Sequence, residues 1–103
     1  MAQEYYFRRQ VTEIFGFNED FLIELETEDI VHCVEMEAVP EPVYPLDQFD
    51  RLRVIFNLMN ELDVNLAGVE VILEMRENMI RMQQQFNVIL EMLVRELKDR
   101  LSE

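Results

Sequence analysis

The sequence predicts a mainly α-helical protein, a helix-turn-helix followed by one long helix, and three observations predict it. Only two glycines and three prolines occur in 103 residues, which leaves little material for tight turns, hairpins or phosphate-cradling loops. Apolar residues recur at three- and four-residue spacing through most of the chain, the period of an amphipathic helix. From Leu66 to the end there is no proline and one glycine, Gly68.

The elements follow in order. Tyr5, Tyr6 and Phe7 read as core or first-strand residues. Val11, Ile14 and Phe15 carry a first helix from Arg9 to Phe15, and Gly16 suits a left-handed stop. Asn18 offers an N-cap, and Glu19 and Asp20 place negative charge on the positive end of the helix dipole. Phe21, Leu22 and Leu25 then give the inward stripe of a second helix, Glu19 to Glu28. Two helices joined by a tight turn at Gly16, Phe17 and Asn18, with apolar Ile30 and Val31 behind them, have the pattern of a helix-turn-helix. Pro40, Pro42 and Pro45 each fix φ and remove a backbone donor. The spacing therefore predicts a loop or short extended ribbon from Val34 to Pro45.

A third helix is predicted over Leu46 to Leu62, with Phe49, Leu52, Ile55, Phe56 and Met59 on one face. Asp63, Val64 and Asn65 break it, and Asn65 can cap a fourth. The chain divides accordingly into residues 1–62 and 63–103. The last helix can run about 36 residues, or about 54 Å, whereas a compact monomer of this size is roughly 33 Å across. Ile72, Met75, Met79, Met82, Phe86, Ile89 and Leu93 alternate spacings of three and four, an a/d seam that Leu90 and Leu97 widen. Such a seam calls for a partner helix. The chain's own third helix could serve, but a two-fold coiled-coil homodimer is the expectation, with the methionines filling the seam.

Charge removes several functions. Nine Lys and Arg stand against 22 Asp and Glu, a net charge of −13, and a surface that acidic repels phosphate. No nucleic-acid partner is expected. The excess is uneven: residues 1–50 hold Arg8 and Arg9 against 13 carboxylates, while residues 51–103 are close to balance. No apolar run approaches the ~18 residues that span a bilayer, and the first ten residues lack the apolar core of an export signal. The expectation is a cytoplasmic protein with no membrane partner. One cysteine and one histidine offer too few soft ligands for a zinc site, so neither metal nor cofactor is expected. His32 and Cys33 are neighbours in an extended segment and point to opposite faces, and no carboxylate joins a catalytic motif with His, Cys or Ser. An enzyme is not expected; Cys33 reads as a small buried hydrophobe.

The stretch from Tyr44-Pro45-Leu46-Asp47 through Arg53, and then Glu61-Leu62-Asp63-Val64-Asn65-Leu66-Ala67-Gly68-Val69-Glu70-Val71-Ile72-Leu73-Glu74-Met75, resembles the MerR-type winged-helix regulators. The second stretch is similar to those of the heat-shock regulator HspR and of the chaperone-modulator CbpM family. With Gly16, Leu22, Leu25 and Glu26, the resemblance covers nearly the whole chain. It implies a small winged helix-turn-helix followed by a dimerisation helix, paired antiparallel in relatives.

The departures from the MerR pattern are specific. DNA-binding members carry Arg and Tyr in the second helix and basic residues in the wing. Here Ile23 and Leu25 stand at the helix positions, and the wing region runs from Val34 to Val43 with Glu35, Glu37 and Glu41. The second helix holds Glu19, Asp20, Glu24, Glu26 and Glu28 and no cation to meet phosphates or read base edges. Asp29 stands where the family tends to have Gly. Among relatives this pattern resembles CbpM, which implies a non-enzymatic module that binds and restrains the J-domain of a DnaJ-like co-chaperone of the CbpA type. The alternative is a MerR- or HspR-type transcriptional regulator that binds DNA. A J-domain with a basic surface would meet the acidic first half through opposite fields, although carboxylates also serve simply to solvate a small domain. The candidate partner-binding residues are Asp20, Ile23, Glu24 and Glu28 on the second helix, with Asp47 and Asp50 at the start of the third. Ile23 is either an apolar anchor within a charged rim or a side chain packed under the ribbon.

Overall fold

The computed structural model describes residues 3–102. Its elements are β1 (Tyr5–Phe7), α1 (Arg8–Phe15), α2 (Glu19–Thr27), β2 (Val43–Pro45), α3 (Leu46–Asn60) and α4 (Leu66–Leu101). The protein is mainly helical, a winged helix-turn-helix followed by a long C-terminal helix.

Each helix end has a local cause. At α1 the Gln10 side chain reaches back to accept from the Phe7 backbone N–H at 2.9 Å, which satisfies a donor left over at the first turn and starts the helix at Arg8, one residue earlier than the apolar spacing places it. Gly16 ends it at φ 75°, with its N–H on the Thr12 carbonyl at 2.8 Å. The Asn18 side chain accepts from the Phe21 N–H at 2.7 Å and opens α2. At the other end of α2 Asp29 takes φ 63°. Its N–H bonds to the Glu26 carbonyl, and the Ile30 N–H returns to the Leu25 carbonyl at 2.9 Å. That is a Schellman close, with buried Leu25 and Ile30 as its apolar contact. Aspartate is one of the few residues that enter the left-handed region at modest cost, so the glycine usual here is dispensable. α3 stops at Asn60, two residues short of its expected end, ahead of Asp63 at φ 55°. Asn65 caps α4 by accepting from the Gly68 N–H at 2.9 Å.

The predicted ribbon is a small sheet. β1 and β2 pair antiparallel, Tyr5 with Pro45, Tyr6 with Tyr44 and Phe7 with Val43. On its other side Val43 exchanges backbone hydrogen bonds with Val34 at 2.8 and 2.9 Å. The chain between Val34 and Val43 thus leaves the sheet and returns to it as a wing.

The chain divides into two compact units, Met1–Val69 and Glu70–Glu103. In the first, Val11, Leu22, Leu25, Ile30, Val31, Val43, Tyr44, Phe49, Leu52 and Ile55 are buried. Beside them the Tyr6 ring stacks on Phe49 at 3.8 Å, and Phe15, Phe17, Phe21 and Phe56 continue the cluster at 5.1 to 5.9 Å. Rings in such offset and tilted pairs add contact energy beyond the area they bury. The second unit is helix α4 from Glu70 onward. Of the a/d seam, Met75, Met79, Met82, Phe86, Ile89 and Leu93 are each more than half exposed, as is Leu97; Ile72 is partly covered. No helix of the described residues is long and apolar enough to cross a membrane.

Candidate functional site

The helix-turn-helix is fixed from behind by a polar network. Arg8, at the start of α1, donates from one Nη to both carboxylate oxygens of Glu26 on α2 at 2.9 Å. The Tyr44 hydroxyl of β2 donates to the same carboxylate at 2.7 Å. One carboxylate therefore joins the first helix, the second helix and the wing strand through charge-assisted bonds. Burial works against the Arg8 charge, but the hydrogen bonds with Tyr44 and Glu26 outweigh it and hold the guanidinium above its ordinary range. Burial, then the bond to Glu26, pushes the Tyr44 hydroxyl well up. Cys33 borders the network: burial and the Glu26 charge push its thiol up to about 11.

Glu26 is thus not part of an acidic outer face, as its place among the carboxylates of the second helix suggests. Leu25, the other matching position, is fully buried and belongs to the core. What α2 shows to solvent is Glu19, Asp20, Ile23, Glu24 and Thr27, with Glu28 beyond the last turn. Ile23 is 45% exposed. Asp47 on the first turn of α3 and Asp50 a turn further on are exposed; Asp47 accepts from the Gln48 side chain and Asp50 pairs with Arg53 at 3.4 Å. Among the described residues, the polar partners of Asp47 and Asp50 lie on α3 itself, Gln48 and Arg53.

Exposed cations also occur on this unit. Arg9 is exposed, and its guanidinium has no ion pair among the described residues. It lines an open cleft of about 490 Å³ with Arg8, Thr12, Asn18, Glu19 and Glu41. Arg53 lies with its guanidinium carbon 5.2 Å from the Phe49 ring centre and is also exposed. His32 is exposed, with Nδ1 3.5 Å from Asp29, while Cys33 is half-buried rather than buried. No group of three or more metal-ligating side chains occurs among the described residues.

Two helices at a tight turn, an antiparallel wing and a long following helix define a winged helix-turn-helix protein. Residues 7–95 match the sequence model of the MerR HTH family regulatory proteins, and the chain belongs to that family. No curated protein and no solved structure matches it. The match stands at the level of the MerR-type family and does not reach the narrower CbpM group.

Membership corrects the expectation that nucleic acid is excluded as a partner. A helix-turn-helix regulatory family points to DNA, and backs a MerR-type regulator ahead of the J-domain modulator. The acidic excess, most of it in the first half of the chain, does not by itself decide the matter. A duplex contact needs only a few cations placed at the phosphates, and Arg9 and Arg53 are exposed cations of the first unit.

Proposed function

We propose that the protein is a regulator of the MerR type that contacts duplex DNA through its helix-turn-helix unit. The observation that carries this reading is the family match over residues 7–95, lying on an α1–turn–α2 pair held in one arrangement by the Arg8–Glu26–Tyr44 network. Arg9 and Arg53 meet backbone phosphates. The outward residues of α2 read bases by the chemistry they have. Carboxylates such as Asp20 and Glu24 accept from the cytosine amino group, and Ile23 meets the thymine methyl. The exposed seam of α4 from Ile72 to Leu93 pairs two copies, as a two-fold reader of two half-sites requires. Selection from a random duplex pool at low salt tests this. The expected result is a bound fraction enriched for paired half-sites with cytosine and thymine on the contacted edge, and a footprint over them. A pool that stays unenriched at every salt overturns it.

A second reading is favoured by one observation: the exposed face of α2 carries carboxylates around Ile23 and no cation. Such a face fits a basic protein surface, with Ile23 as an apolar anchor inside a charged rim, and a J-domain co-chaperone of the CbpA type has that chemistry. On this reading a purified J-domain co-elutes with the protein, and Asp20→Lys with Glu24→Lys abolishes it. Co-elution that survives the double reversal removes this face from the reading.

A further inference from the structure

The a/d seam is not the only organised stripe on α4. Residues 81, 85, 88, 92, 95 and 99 are spaced 4, 3, 4, 3 and 4, a second a/d-type line lying roughly 135° around the helix from the first at 100° per residue. All six side chains are exposed, including Val88 at 56% and Met92 at 62%. Met92 borders the seam at Ile89, but Val88 lies about 100° or more from every seam residue, where a helix with one partner is polar.

The order of the stripe reads Arg81, Gln85, Val88, Met92, Arg95, Asp99, and it is self-complementary about Leu90. Laid antiparallel on a second copy centred there, Val88 meets the other copy's Met92, Gln85 meets Arg95, and Arg81 meets Asp99, each pair occurring twice as a two-fold interface requires. Laid parallel, Arg81 would face Arg81 and Asp99 would face Asp99, and like charges set against each other reject that register. The charges are also available. Asp99 and Arg95 have no ion pair among the described residues, whereas neighbouring Glu96 and Arg100 pair with each other at 2.9 Å. Among the described residues, Arg81 donates to the neutral Asn78 one turn back.

We propose that this face docks antiparallel on the same face of a second copy, so that dimers joined through the seam associate into tetramers. The tetramer rests on the seam pairing proposed above; the complementarity of the second face does not. Sedimentation equilibrium on the full chain tests it, with Arg81→Asp to set like charges together at both ends and Arg81→Asp combined with Asp99→Arg to restore opposite ones. The wild type is expected to interconvert between dimer and tetramer with concentration. The single variant should weaken the dimer–tetramer step by roughly tenfold or more, and the double variant should regain it. A wild type that stops at the dimer and ignores Arg81→Asp overturns the second face and leaves the seam standing. A dimer that Arg81→Asp dissociates removes the seam and keeps the second face. A tetramer that the single variant leaves unchanged, or that the double variant fails to recover, also overturns the proposal.

Discussion

Glu26 accepts from Arg8 and from Tyr44 at once, so a single carboxylate sets the angle between α1, α2 and the wing. Glu26→Gln keeps the shape and removes the charge. It leaves the half-buried guanidinium with only the exposed Glu19, 3.9 Å away, as an anion, and the expected loss is about 1–3 kcal/mol, read as a lowered midpoint in urea unfolding. Cys33 gives a pH signature. Its thiol is held up to about 11 in the folded chain, by burial first and the Glu26 charge second, against about 8.5 for a free thiol. The folded state therefore holds this proton more tightly than the unfolded one. The resulting stability is fully present below about pH 8.5 and is lost as pH rises toward 11. Tyr44, also raised, extends the loss to higher pH. Urea midpoints measured from pH 8 to 11 should fall, and Cys33→Ala should flatten the early part of that fall.

Among the elements, the tight turn between α1 and α2 is where local sequence has most control. Gly16 at φ 75° takes a conformation that costs an L side chain about 1 kcal/mol, and the Asn18 cap is worth about as much. Gly16→Ala and Asn18→Ala should each lower stability by about 1 kcal/mol by thermal unfolding, whereas Asp29→Gly, at a position already left-handed, should change it little. These signals were legible because glycine stops, Asx caps and helical spacing act over a few residues. All four helices accordingly stand within two residues of the ends the sequence predicts. The Arg8–Glu26–Tyr44 network was not legible, since its members are 18 residues apart in sequence and only the fold brings them together. Nothing local distinguishes Glu26, which turns inward, from Glu24, which does not. The ring cluster around Tyr6 and Phe49 is equally long-range, although seven phenylalanines in 103 residues announce an aromatic core. The wing was visible as a proline-rich ribbon, but its pairing with Tyr5–Phe7 was not.

For the whole molecule, the net charge of −13 lies mostly in the half that carries the helix-turn-helix, so a DNA contact rests on a few placed cations and not on the overall field. The acidic excess sets a limit on the contact. With Arg9 and Arg53 as the phosphate-facing cations of each copy, a pair of copies neutralises about four phosphates, and the slope of log K against log salt should be about −3 to −4 at roughly 0.9 per phosphate. Arg9→Gln should reduce its magnitude by nearly 2, one phosphate for each copy. The most direct test of the central claim is therefore the salt dependence of binding to a selected duplex, for the wild type and for Arg9→Gln. A shallow slope near −3 to −4 that Arg9→Gln cuts by about half is the predicted result; no duplex binding at any salt would contradict it.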